Sequence, residues 1–162
     1  MISSMCRIST INGALLACYF VPTWAAAAWK IVIFPIRGLY DRANIAPALF
    51  VSDHFQFFTI GAVRFAWLLA LTKLLVVAFF AAFAVLSVLR RRSGDGDEAL
   101  TMALGLGGAI SLASMVLAAA VGEAGAQHLH ATEALLMIGG LLILVMDTRK
   151  QVGAAQTVPA AA

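Results

Sequence analysis

From Ala62 to Arg92 the chain reads AVRFAWLLALTKLLVVAFFAAFAVLSVLRRR, an apolar run without Pro or Gly that ends in three arginines. It exceeds the ~20 apolar residues needed to cross a hydrocarbon core and is predicted to be a membrane-spanning helix. A second span is predicted from about Ala99 to Val121. There Ala99, Ala103, Gly107, Ser111, Ser114, Ala118 and Gly122 recur at helical spacing, and such a stripe of small residues lets a neighbouring backbone approach closely. A third apolar stretch, Ala131 to Met146, is short for a span. Its helix is therefore expected to begin before Ala131 or to hold Glu133 at the interface.

The N-terminal 28 residues read in two ways. Arg7 gives a short basic n-region, Ile11 to Val21 is apolar, and Pro22 precedes Ala25, Ala26, Ala27 and Ala28, which together have the form of a cleavable signal peptide. The competing reading is an uncleaved first span continuing to Pro35, with Trp24 and Trp29 as interfacial anchors. The expected fold is accordingly an all-α polytopic membrane helix bundle, with three mature spans or four if the N-terminal segment stays.

Between these runs, residues 29–61 mix aromatic and polar residues, interrupted by Pro35, Gly38 and Pro47. This segment is too polar to span and is expected to lie along the outer membrane surface or to fold back over the helix ends. Ser93 to Glu98, SGDGDE, reads as a turn leading into a capped helix and is too short for a calcium loop. Gly122 to Thr132, GEAGAQHLHAT, reads as an outer loop, and 151–162 as a disordered tail.

Composition narrows the class without changing this picture. Hydrophobic residues make up 62% and charged residues 12% of the chain, with a mean hydropathy of +0.95, which excludes an ordinary soluble domain. The net charge of +3 comes from basic residues at the ends of apolar runs, so topology accounts for most of it and nucleic acid is not an expected partner. Cys6 and Cys18 are the only cysteines, too few for a disulfide framework. Arg90, Arg91 and Arg92, with Arg7, Arg149 and Lys150, predict a cytoplasmic arginine loop and C-terminus in a bacterial inner membrane. Lys30, Arg37, Arg42 and Arg64 then fall in or beside the longer outer segment.

Two constellations are candidates for chemistry. Lys73 is an ionisable residue inside a span, on a face shared with Ala66, Ala70, Val77 and Ala81, while Phe65, Leu69, Val76 and Phe83 are expected to face lipid. Its expected partners are Glu133 or Glu123, reached by snorkelling toward the outer face. His54, His128 and His130 all fall on one predicted side, with Glu133 near. Imidazole and carboxylate are ligands for Cu or Zn, and His-x-His in an extended turn points both rings one way.

Ser111 and Ser114 lack a neighbouring base, and no catalytic motif is present. The sequence therefore predicts a non-enzymatic accessory or assembly subunit that packs on a membrane partner or on itself through its small-residue faces. The alternatives are a Cu- or Zn-binding membrane protein using the three histidines, and an oligomeric transporter or channel subunit using Lys73.

Overall fold

The computed structural model describes residues 8–55, 59–89 and 93–156, and Arg90, Arg91 and Arg92 lie outside them. Every regular element among the described residues is helical: α1 (Ile8–Ile33), α2 (Pro35–Leu39), α3 (Ile45–Phe55), α4 (Thr59–Val88), α5 (Ser93–Ala120) and α6 (Ala124–Gln156). α1, α4, α5 and α6 are each long and apolar enough to cross a membrane, so the chain fits a multi-pass integral membrane protein. Less than two fifths of each span is buried inside the protein, which leaves broad apolar faces for lipid.

The four long helices close into an up-and-down bundle in which α1 packs on α4 and α6, and α5 packs on α4 and α6. At one end of the α1–α4 pair, Ala28 and Ile31 meet Ala66 and Ala70. Farther along, Phe20 stacks on Phe80 with ring centroids 5.8 Å apart, so the two helices run antiparallel. Lipid is as apolar as these side chains, and close packing and interhelical hydrogen bonds hold such a bundle. The small stripe of α5 serves that packing inside the chain. Ala103, Ser111, Ser114 and Ala118 are buried, and a Cβ at Gly107 would collide with the Met137 sulfur of α6.

The first helix is continuous through Pro22. Thr23 Oγ1 donates to the Tyr19 carbonyl at 2.7 Å, an example of a hydroxyl bonding backbone acceptors around a proline in a membrane helix. Phe20, Trp24, Ala28 and Ile31 of α1 are almost wholly buried among the other helices. The structure thus describes the four-helix form of the expected bundle and gives a cleavable signal no support.

Other boundaries shift. The predicted loop 93–98 is the start of α5, and the predicted outer loop 122–132 is nearly all α6, since only 121–123 turn, with Gly122 at φ +76°. Its residues are polar but helix-tolerant, and polarity alone misplaced the loop. The expected tail is helical as far as Gln156. On α4, Val76 and Phe83 are core residues rather than lipid-facing ones. The buried line 66, 70, 73, 76, 80, 83 follows three-and-four spacing and passes from small to large side chains along its length.

Residues 34–55 form a crossover that folds over one end of the bundle, shorter than the expected 29–61 because 29–33 complete α1 and 59–61 begin α4. Pro35 starts α2 in the first turn, where its missing N–H costs nothing. α2 packs on α1 and α4, and α3 returns across α5 and α6. A Cβ at Gly38 would sit 2.5 Å from the Ile31 backbone nitrogen, so only glycine allows this approach. Gly38→Ala is expected to destabilise the fold by about 1–3 kcal/mol in detergent unfolding, as overpacking does. Gly105→Ala, where a Cβ meets nothing within 4 Å, is expected to be neutral or stabilising by about 0.5–1 kcal/mol. Equal effects at the two positions would contradict the close approach.

Candidate functional site

Most of the buried polar side chains among the described residues gather at the crossover end. Trp24, Ser111 and Glu133 each lie nine residues from the end of their own helix at that side, or about 14 Å by helical rise. They therefore share one level. Glu133 is the hub: it accepts from Trp24 Nε1 at 3.0 Å, from His130 Nδ1 at 2.9 Å, and more weakly from Ser111 Oγ at 3.4 Å. Three donors from three helix positions replace the water that a buried carboxylate loses.

Lys73 does not pair with Glu133 or Glu123 by direct contact, contrary to the sequence expectation. Its ammonium donates to Asn44 Oδ1 at 2.5 Å and to the Ala43 carbonyl at 3.0 Å. The same ammonium lies 5.7 Å from the centroid of the Trp24 ring. Trp24 thus stands between the charges, with its N–H on the carboxylate and its π face under the cation. The direction of reach is as expected, toward the crossover. The partner differs because α3 brings a fully buried amide within range of the lysine. Glu123, in the turn between α5 and α6, is half-buried and outside this cluster.

Asn44 explains how the crossover is anchored. Its Nδ2 donates to the Gly38 carbonyl at 2.9 Å, its backbone N–H to Asp41, and its own carbonyl accepts from Ala48 at the start of α3. With Oδ1 on Lys73, the one residue closes the α2–α3 turn, begins α3 and fastens both to α4.

The three histidines do not converge. His54 is exposed at the end of α3, bonded to the Phe50 carbonyl and stacked on the Phe50 ring at 4.2 Å. His128 is exposed and His130 is buried, because residues two apart on a helix point to nearly opposite sides. The paired rings expected from the sequence need an extended turn, and the segment is helical instead. Among the described residues no group of three or more His, Cys, Asp or Glu side chains could hold a metal ion.

His130 retains one distinctive property. An ionised carboxylate can only accept, so Nδ1 carries the hydrogen toward Glu133, and the buried Nε2 has no partner among the described groups. A carboxylate that fixes an imidazole in this way leaves a free ring nitrogen able to accept a hydrogen bond.

At the opposite end Ser9 Oγ donates to Asp147 at 2.6 Å, joining α1 to α6. Between the two polar levels the interior is filled by Phe20, Phe80, Phe83, Leu104 and Met137, and no polar chain links them among the described side chains.

Sequence reasoning missed three members of the cluster. The sequence places Trp24 at an interface and Ser111 in a packing stripe, and gives Asn44 no role. The available signal for Asn44 was an amide between Ala43 and Ile45 in an otherwise apolar helix start. Comparison with family models, curated proteins and solved structures finds no match, so these contacts within the chain itself carry the functional reading.

Proposed function

We propose that the chain is a non-enzymatic accessory or assembly subunit of a bacterial inner-membrane complex, inserted with its first helix retained. The carrying observation is what the buried polar groups bond to. Trp24 to Glu133 joins α1 to α6, Ser111 to Glu133 joins α5 to α6, and Lys73 to Asn44 joins α4 to the crossover. Each contact locks an element, as a rigid unit delivered to a partner requires. The apolar layers between the two polar levels favour this reading over a transporter or channel, whose path needs polar groups in sequence across the membrane. The dispersal of the histidines favours it over a Cu or Zn protein.

Because α6 covers the small face of α5, a membrane-protein partner or a second copy would dock on the lipid-facing sides of the bundle. The arginine loop and the C-terminus lie in the cytoplasm on this proposal, with the crossover outside. Mild extraction from native membranes followed by native mass spectrometry is expected to yield a stoichiometric complex with another membrane protein or a second copy. Release as a lone chain, or stoichiometric Cu or Zn in the same sample, would contradict it. Intact mass is expected to include residues 1–28. A mature chain beginning near Trp29 would reject retention, because Phe20 and Trp24 would be lost from the core.

A further inference from the structure

On the outer side of the α1–α4 pair, Ala25, Ala26, Trp29 and Val32 of α1 and Leu74 of α4 line an apolar groove of about 330 Å³. The alanines leave room that no side chain fills, and Trp29 and Leu74 are exposed along it. A groove of this size is in the range of about 300–1,000 Å³ that holds small ligands, and its lining suits hydrocarbon. It opens on the membrane side of the bundle, so its occupant comes from the bilayer.

The residues beyond the groove add a charge. From Leu74 toward the crossover end, Leu71, Trp67 and Arg64 succeed one another at three- and four-residue steps, so they share a face of α4, and all are exposed. Arg64 lies about 15 Å from Leu74 by helical rise. The antiparallel α1 passes from Ala25 to Val32 over the same interval and leads into α2, which packs on α4 and carries exposed Arg37. Neither Arg37 nor Arg64 has an ion-pair partner among the described residues, whereas nearby Lys30 is bound to Asp41 at 2.8 Å. Guanidinium groups match phosphate geometry, and Arg37 and Arg64 both lie beyond the groove toward the crossover, on two elements that pack together.

We propose that this groove and its two arginines form a binding site for one anionic phospholipid, with an acyl chain between α1 and α4 and the headgroup phosphate at Arg37 and Arg64. The site gives a function to cations that positive-inside bias leaves unexplained. It depends on membrane residence and on neither the accessory role nor the orientation.

The test is native mass spectrometry of the delipidated full chain in detergent, titrated with phosphatidylglycerol or with phosphatidylcholine of the same chains. Phosphatidylglycerol is expected to bind more tightly. Arg37→Gln with Arg64→Gln is expected to weaken it roughly 30-fold, toward the phosphatidylcholine value. Ala26→Phe, which fills the groove from an exposed position, is expected to weaken both lipids. Arg149→Gln, at the other end of the bundle, is expected to change neither, and unfolding midpoints report that all variants are folded. Equal binding of the two lipids, an unchanged affinity in the double arginine variant or in Ala26→Phe, or an equal loss in Arg149→Gln would each overturn the proposal.

Discussion

Glu133→Ala is expected to cost more stability than any other single substitution in the chain, about 3–5 kcal/mol, the range for breaking a buried charged network from one side. The substitution strands three donors at once, on Trp24, His130 and Ser111, and removes a carboxylate that shares the Trp24 side chain with the buried Lys73. An unsatisfied buried donor alone costs about 1–3 kcal/mol, so the full loss need not reach the sum of its parts if water enters the space. Glu133→Gln separates charge from shape. Its carbonyl can still accept from one donor, but its amide then faces another, and an intermediate loss of about 1–3 kcal/mol is expected. Unfolding in mixed micelles measures both. A loss within about 0.5 kcal/mol for Glu133→Ala, the size of an ordinary surface substitution, would mean that the cluster does not hold the bundle.

Lys73→Met is expected to be the second largest, at about 3 kcal/mol, and to act on a different element. It leaves Asn44 Oδ1 and the Ala43 carbonyl without their donor, so the crossover keeps only its apolar packing on α4 while the α1–α6 contact remains. Asn44→Leu removes the acceptor from the other side and also leaves the Gly38 carbonyl with the Asp41 N–H alone. Replacing both partners by apolar groups of similar size is expected to cost clearly less than the two single losses together, because neither the ammonium nor the amide is then left buried alone. Hydrogen exchange is expected to rise first around 40–48 in the single variants. Additive losses in the double variant, or exchange that rises evenly across the bundle, would show that Lys73 does not fasten the crossover.

Much of this architecture was legible in the sequence, and the reasons are physical. Length and apolarity identify α4 and α5 because a span must satisfy its backbone internally, and the small stripe of α5 is a local pattern with a direct packing consequence. Lys73 stood out because a charge in an apolar helix is costly wherever it points. Its partner was not legible, since Asn44 reaches it only through the path of α2 and α3, which no spacing encodes. The histidines show the same limit from the other side: a turn and a helix give His128 and His130 opposite relations, and choosing the turn created a ligand pair that the helix dissolves. Trp24 was read as an interfacial anchor because tryptophan is common there. Its burial depends on Glu133, which is 109 residues away in the chain.

The contact that most directly carries the account is the one from Trp24 to Glu133, since it draws the first helix into the bundle and connects the carboxylate to the lysine. A double-mutant cycle with Trp24→Phe and Glu133→Leu, measured by unfolding in mixed micelles, isolates it. Interhelical hydrogen bonds in membrane proteins average about 0.6 kcal/mol and reach about 1.7, and a charged acceptor belongs at the upper end. The predicted coupling is therefore about 1–2 kcal/mol. Losses that add to within about 0.3 kcal/mol would contradict it, and with it the claim that Glu133 holds α1 to α6.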